Sequence, residues 1–306
     1  MILTFIFLST IWFISSVEAS ATVRDRTTSI LRQFANGTSV ENIAVRENGN
    51  LLVTLLYQAE VLELSHHPKT DSRLVHYFNG STRVNGISEL SPDVFAVSAN
   101  HDTVWTLDLT AGTPKVSQVV TIANASFLNG VTTLDGSAGT VLVADSGVGI
   151  VWLVDTTTGE YKAAHQDVTM AAATAPSSSM ALGVNGARYK DGVLYYTNTG
   201  KQLFCRVRID PVTGGAIGPY EVIAEGLSLD DLVPMEDAAF VAGSSVGVLK
   251  IFFNGTQEVV VSASNSTDIA GATAVAFGRT PEDSDRLYVT TSGGGLGGGK
   301  VVAIEI

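Results

Sequence analysis

The stretch VNGARYKDGVLYYTN, residues 184–198, contains a pattern that returns along the whole chain. A polar residue in a short apolar strand is followed by a turn and by a second strand that ends in small or polar residues. Alternation with a period of two residues predicts β-strands rather than helices. Because one unit is repeated, the sequence predicts a repeat architecture. The equivalent openings start at Glu41, Val84, Leu128, Val184, Leu229 and Gly271.

The spacing of the repeats predicts which architecture forms. Aligned positions recur after 42 to 45 residues, with one longer interval of 56, which is the length of a four-stranded propeller blade. The last repeat ends at residues 300–306 without a fourth strand, and residues 29–34 can supply it. The sequence therefore predicts an all-β, six-bladed β-propeller, one domain over residues 21–306, closed by its N-terminal strand. A β-sandwich would not need six equivalent units. The aligned positions are Asn42, Asn85, Asn129, Asn185, Asp230 and Ala272.

The longer interval contains residues 167–179, a stretch of Ala, Thr, Ser and Pro with little periodicity. This segment is expected to be a loop, either over one mouth of the channel or on the rim of the ring.

The first twenty residues are almost wholly apolar and are followed by the charged run at 23–26. We expect residues 1–20 to be a cleaved signal peptide, with an N-terminal anchor as the alternative. No second apolar span follows, so no transmembrane span is expected after cleavage. Five Asn-x-Ser/Thr sites favour glycosylation and a location in the secretory pathway or outside the cell. These sites are Asn36, Asn79, Asn124, Asn254 and Asn265.

Composition narrows the classes of partner. The chain has 306 residues, of which 45% are hydrophobic and 16% charged, and its net charge is −12. Nucleic-acid binding is disfavoured because phosphates need clustered Lys and Arg, whereas an acidic surface suits a soluble extracellular protein or a cation site. Cys205 is the single cysteine, so no internal disulfide can form, and its alternating context predicts a packed strand residue. The oligomeric state is not predicted.

Polar residues at the blade openings are the candidate site. In a propeller the innermost strands line the channel, so residues at their starts converge on the axis. Oxygen ligands from separate strands are what calcium prefers. The alternative is that the three Asn-Gly pairs mark tight turns, since both residue types tolerate left-handed backbone. The converging residues are Glu41, Asn85, Asn129, Asn185, Asp230 and the neutral Thr273.

The chain resembles the gluconolactonase, regucalcin and strictosidine-synthase superfamily over essentially its whole mature length. For the lactonase branch, the resemblance implies a channel calcium and no organic cofactor. The expected ligands are Glu41, Asn129, Asn185 and Asp230, with Asp230 also as base or nucleophile. The branch's Glu-Gly-Pro is replaced by ENIAV at 41–45, and its Pro-Asp-Gly by Leu229-Asp230-Asp231. Either carboxylate of that pair could therefore point into the pocket.

Four phrases are similar to a fungal secretory branch that accompanies secondary-metabolite pathways: LNG at 128–130, LVADS at 142–146, LGVNG at 182–186 and LYYTNT at 194–199. This branch includes hetero-Diels–Alderases that join a tropolone-derived quinone methide to a sesquiterpene such as a humulene alcohol. The resemblance implies such an enzyme here.

Cycloaddition needs orientation and polarisation rather than a nucleophile. Asn85, Asn129 and Asn185 are suitable hydrogen-bond donors, and Asp230 completes the expected catalytic set. Aromatic residues on the second and third strands could wall a pocket, but core packing is the favoured reading. These residues are Trp105, Trp152, Tyr195 and Tyr196.

Two other functions stay open. One is a calcium-dependent lactonase or ester hydrolase, with Asp230 activating water. The other is a non-catalytic propeller that binds a ligand or a protein partner. The expected substrate is a small apolar or lactone-like molecule. Ser146 lacks a Gly-x-Ser-x-Gly context, and the five histidines lack zinc-type spacing, so serine hydrolases and zinc enzymes are disfavoured.

Overall fold

The computed structural model describes residues 22–23, 26–67, 72–173 and 181–306. The expected leader, residues 1–20, lies outside the described residues, so the division of the chain at residue 20 stays a prediction. Among the described residues, no helix is both long enough and apolar enough to span a membrane.

Six antiparallel sheets form the blades of a β-propeller, as the repeat predicted. Besides one 3-10 helix at Thr267–Ile269, the regular elements of the described residues are all strands. In chain order they are β1 Thr22–Val23, β2 Thr28–Gln33, β3 Val40–Val45, β4 Leu51–Leu55, β5 Glu60–Leu64, β6 Arg73–Tyr77, β7 Val84–Ser91, β8 Val94–Ala99, β9 Thr103–Asp108, β10 Lys115–Thr121, β11 Leu128–Asp135, β12 Thr140–Asp145, β13 Ile150–Asp155, β14 Tyr161–His165, β15 Val184–Lys190, β16 Val193–Asn198, β17 Leu203–Ile209, β18 Ala216–Glu225, β19 Leu232–Pro234, β20 Ala238–Gly243, β21 Gly247–Phe252, β22 Gln257–Ser262, β23 Ala272–Phe277, β24 Arg286–Thr291 and β25 Lys300–Glu305.

The ring closes as predicted. Strands β3–β6 form the first blade, and each following group of four forms the next, up to β19–β22 in the fifth. The sixth blade combines β23–β25 with β2, which pairs antiparallel to β25 from Thr28 opposite Ile304 to Gln33 opposite Lys300. The sequence did not predict β1, which adds a parallel edge to β22 of the fifth blade.

The apolar core is divided among the blade interfaces. Within the described residues, buried side chains form six clusters, each shared by two neighbouring blades. Tyr195 and Tyr196 are buried in two of them, and Trp105 and Trp152 pack against two others, so the core reading of these aromatics is confirmed. Cys205 is also buried, and burial raises the pKa of its thiol to about 12.

Hydrogen bonds to inner-strand carbonyls join the blades around the channel. The hydroxyls of Thr54, Ser98 and Ser146 each donate to the next blade, at 2.7 Å from the carbonyl oxygens of Asn85, Asn129 and Val184. Three further bonds complete the ring: Thr197 Oγ1 to Asp230 O, Asp231 N to Thr273 O, and Thr273 Oγ1 to Val40 O. Every blade interface therefore has a polar bond beside the channel.

The Asn-Gly pairs lie within inner strands, so the turn alternative is wrong. Glycine is needed there because neighbouring strands nearly touch, and none of the three adopts left-handed φ. A Cβ at Gly86 would lie 2.3 Å from Asn129 O, and one at Gly130 would lie 2.6 Å from Asn185 O. At Gly186 the nearest atom would be Asp230 O, at 2.6 Å. These contacts are shorter than any real Cβ makes, so the inner ring is closely packed.

Candidate channel-mouth site

Inner strands that run in the same direction bring their first residues to one mouth of the channel. Here five predicted residues are buried and Asp230 is half-buried. Thr273 is occupied by its hydrogen bond to the first blade. The others, Glu41, Asn85, Asn129, Asn185 and Asp230, are called the channel ring below.

The side-chain amides of the ring are oriented by neighbouring blades or connections. Asn85 Nδ2 donates to Leu128 O, Asn129 Nδ2 donates to Ser146 Oγ at 3.3 Å, and Asn185 Nδ2 donates to Thr199 Oγ1 at 2.8 Å. The Oδ1 atoms of Asn85 and Asn185 are buried without a hydrogen-bond partner among the described residues. A buried carbonyl oxygen without a donor is costly, so these atoms are available to a ligand or a cation. The expected donor role of the asparagines stays a prediction, and the free groups at these two positions are acceptors.

Three carboxyl groups act on one another in the channel. Burial, and then the charge of Asp231, raise the pKa of Glu41 to about 7. Burial, followed by the charges of Glu41 and Asp231, holds the pKa of Asp230 well above its usual value. Burial also raises the pKa of Asp231, although Arg188 acts in the opposite direction. Loss of hydration and like charges both disfavour the ionised forms, so a cation would be stabilised in this space.

The sequence left open which of two adjacent carboxylates faces the pocket, and the structure gives them different environments. Asp231 accepts hydrogen bonds from Arg188 Nη2, from Asn42 Nδ2 at 2.8 Å and from the Leu232 amide at 2.8 Å. Within the described residues, Asp230 forms no ion pair, and its side chain is half-buried beside the ring. Asp230, whose pKa is lowered only by a hydrogen bond from the Asn185 side chain, is therefore the less constrained of the two carboxylates, whereas Asp231 is held by its ion pair with Arg188.

Arg188 crosses the channel and was missed by sequence reasoning. Its Nη1 donates to Val131 O at 2.7 Å, and its Nη2 donates to Asn42 Oδ1 at 3.2 Å and to Asp231. Asn42, Arg188 and Asp231, called the channel bridge below, connect the first, fourth and fifth blades. The sequence did contain a signal for Arg188. At the equivalent position the other five blades carry uncharged residues, and only the fourth blade carries a charged one. At the opposite mouth, Arg188 also lines a cavity of about 300 Å³ with Glu89, Phe277 and Arg279.

The loop expected near a mouth is described only over residues 167–173. Met170 is buried between the third and fourth blades, and Asn198 Nδ2 donates to Thr169 O at 2.8 Å and to Ala171 O at 2.9 Å. Residues 174–179 lie outside the described residues, so whether the loop covers the channel stays a prediction.

No protein-family model matches the chain. Two curated relatives do: a candidate hetero-Diels–Alderase from Phoma sp is 28% identical over 304 residues, covering 85% of this chain and 85% of its own. The candidate hetero-Diels–Alderase asR5 from Sarocladium schorii is also 28% identical, over 313 residues, covering 85% of this chain and 77% of its own. Among solved structures, a calcium-binding regucalcin from Agrobacterium tumefaciens superposes with a TM-score of 0.67 at 16% identity, covering 94% of this chain and 96% of that one.

The expected superfamily is therefore confirmed. The chain is similar to two candidate hetero-Diels–Alderases, and it shares its six-bladed propeller fold with the solved regucalcin structure.

The channel ring offers donors of the kind that calcium prefers. Glu41 and Asp230 supply carboxylates, and Asn129 and Asn185 supply amide oxygens, including the buried Oδ1 of Asn185 that has no donor. Within the described part of the chain, no group of three or more His, Cys, Asp or Glu side chains could hold a metal ion. A cation here would thus depend on the two amides as much as on the carboxylates.

Proposed function

We propose that the chain is a small-molecule tailoring enzyme of fungal secondary metabolism that catalyses a hetero-Diels–Alder cycloaddition. The observation that carries the proposal is the similarity to two candidate hetero-Diels–Alderases, each over 85% of this chain. The proposed partners are a tropolone-type quinone methide, as the heterodiene, and a sesquiterpene alkene.

The chemistry suits a site that orients its substrates. One C–C bond and one C–O bond form between the heterodiene and the alkene, one new C=C bond replaces three π bonds, and no atom leaves. A protein accelerates such a step by holding both partners in a reactive geometry and by polarising the carbonyl oxygen of the heterodiene. The Nδ2 group of Asn85, Asn129 and Asn185 has two hydrogens and donates one of them within the protein, so in this proposal the second hydrogen would polarise the substrate oxygen.

The test is a product assay. The purified protein is supplied with a humulene-type alcohol and a tropolone quinone methide generated in situ, and adducts are separated on a chiral column. We expect a faster reaction and one dominant stereoisomer, with both effects reduced in Asn185→Ala. An isomer distribution and rate equal to those in buffer would contradict the proposal. Arg32→Gln, on outer strand β2, is the control substitution.

The second candidate, a calcium-dependent lactonase, is supported by the buried acceptor of Asn185 beside carboxyls with raised pKa values. Glu41, Asn129, Asn185 and Asp230 would hold the ion. Bound calcium would supply Lewis-acid polarisation of an ester carbonyl, and Asp230 would accept a proton from water. The test is a calorimetric calcium titration of wild type and Asn185→Ala, followed by a panel of lactones. No heat of binding in the wild type would contradict this candidate.

We further propose that the chain enters the secretory pathway, with residues 1–20 removed and its acceptor asparagines glycosylated. All five acceptors are exposed on turns, which supports glycosylation. Expression in a fungal host should give an N-terminus near residue 21 and a mass that falls after glycosidase treatment. An intact N-terminus without a mass change would contradict it.

A further inference from the structure

Arg83 and Phe127 form a contact between neighbouring blades at the channel mouth. Each stands two residues before a ring asparagine, Arg83 before Asn85 and Phe127 before Asn129. The guanidinium carbon of Arg83 lies 4.6 Å from the centroid of the Phe127 ring. A guanidinium stacked on an aromatic face is held in orientation by both the charge and the flat contact.

The guanidinium of Arg83 has no polar partner among the described residues. Within the part of the chain that the structure describes, its Nε is buried without a hydrogen bond and no carboxylate forms an ion pair with it. Glu41 is close enough for the charge of Arg83 to lower its pKa, but the two side chains form no ion pair. The other arginine of the channel is different, because Arg188 donates to Asp231, Asn42 and Val131 O.

Free N–H groups held at a mouth indicate an oxygen ligand. Arginine carries five donors in a planar fork, which fits a carbonyl, enolate or carboxylate oxygen. Leaving a buried donor unsatisfied costs free energy, and a bound oxygen would remove that cost.

Aromatic side chains surround Arg83. Phe127 is only 9% exposed. It also contacts His101, and the two ring centroids lie 6.2 Å apart in an edge-on arrangement. His101 is itself fixed by a hydrogen bond between Nδ1 and Ser126 O at 3.1 Å. The aromatic ledge, defined as Arg83, Phe127 and His101, is therefore rigid.

We propose that Arg83, held on Phe127, binds the carbonyl or enolate oxygen of a planar conjugated substrate at the channel mouth. The proposal deepens the cycloaddition and rests on it for the substrate class. In that reaction the heterodiene oxygen gains electron density as the bonds form, and a fixed cation stabilises such charge.

The experiment measures binding, so it is independent of product formation. The probe is tropolone, titrated calorimetrically at pH 8 into the full chain as wild type, Arg83→Gln, Arg83→Lys and Phe127→Leu. Arg32→Gln is the matched control, because Arg32 also lies over a phenylalanine, at 5.7 Å from the Phe34 ring centroid, and has an unbonded Nε, but on outer strand β2. Circular dichroism and thermal unfolding report whether each variant folds.

We expect Arg83→Gln to weaken tropolone binding about tenfold or more, as is typical for a lost hydrogen bond to a charged group. Arg83→Lys should fall between Arg83→Gln and wild type, because it keeps the charge but loses the fork. Arg32→Gln should change the Kd less than twofold. If Arg83→Gln does not fold, Phe127→Leu must weaken binding for the proposal to stand.

Equal affinity of wild type and Arg83→Gln would overturn the inference, and so would a wild type that does not bind tropolone at millimolar concentration. The product assay separates the two proposals. Arg83-dependent binding without any cycloadduct would keep this site and reject the cycloaddition. A stereoselective cycloadduct with Arg83-independent binding would keep the reaction and reject this site.

Discussion

Replacing Glu41 by Gln should change how the stability of the protein depends on pH. Glu41 is 8% exposed at the channel mouth, and burial together with the charge of Asp231 raises its pKa from an ordinary 4.5 to about 7. Folding therefore makes ionisation of this carboxyl harder. Gln has almost the same shape and cannot ionise, so the substitution isolates the charge.

The sign and size follow from proton linkage. Below pH 4.5 Glu41 is protonated in both the folded and unfolded chain, and its contribution to stability is fully present. As the pH rises towards 7, the unfolded chain releases this proton first, so the free energy of unfolding falls. At 1.36 kcal/mol per pKa unit, the full loss is about 3 kcal/mol, of which about 2–3 kcal/mol falls between pH 5 and pH 8. The pKa values of Asp230 and Asp231 are also raised by burial, and the charge of Glu41 raises that of Asp230 further, so removing this charge eases the ionisation of Asp230 in the same direction.

The assay is urea unfolding at pH 5 and pH 8 with EDTA present. We expect Glu41→Gln to gain about 2–3 kcal/mol relative to wild type between the two values. Glu282→Gln is the control because Glu282 is exposed on a turn, and it should follow wild type at both pH values. If Glu41→Gln and wild type run parallel from pH 5 to pH 8, the reasoning is refuted, because Glu41 then ionises as easily in the folded chain as in the unfolded one.

Three further predictions concern the channel and the core. Arg188→Met should lower the free energy of unfolding, measured by urea denaturation, by about 3–5 kcal/mol, because it leaves Asp231 buried without its cation. Adding Asp231→Asn to this variant should recover part of the loss. No recovery would contradict the pairing of Arg188 with Asp231. Gly130→Ala should lower the free energy of unfolding by about 1–3 kcal/mol, since the new Cβ would lie 2.6 Å from Asn185 O. Gly192→Ala should lower it less, because a Cβ there meets open space, although the backbone φ is left-handed. Cys205 should resist thiol reagents in the folded protein and react fully in denaturant, because burial raises the pKa of its thiol to about 12; fast reaction of the native protein would contradict the buried placement.

The fold could be predicted because the same local sequence pattern recurs in every blade. Alternating strands and a regular interval define four-stranded blades, and the missing last strand of the sixth blade indicated the closure now seen between β2 and β25. The short parallel β1 gave no such signal, because a two-residue strand has no periodicity and pairs with an edge that lies far away in sequence.

The candidate site was only partly predictable. Repeat phase placed Glu41, Asn85, Asn129, Asn185 and Asp230 at the mouth, because every inner strand begins there. Phase alone could not show which atoms of these side chains are already bonded. That depends on contacts between blades, such as Asn185 with Thr199 and Asn85 with Leu128.

The depth of a side chain in the channel decides which charges are available for chemistry. Asp230 and Asp231 are adjacent in sequence, yet only Asp231 meets an arginine that crosses from the fourth blade. Close packing of the inner strands at Gly86, Gly130 and Gly186 keeps the channel narrow enough for one arginine to join opposite blades. The channel bridge therefore joins the first, fourth and fifth blades across the channel. Arg188 is thus committed to an ion pair that connects blades, whereas Arg83, which forms no ion pair among the described residues, is the arginine for which we propose a binding role.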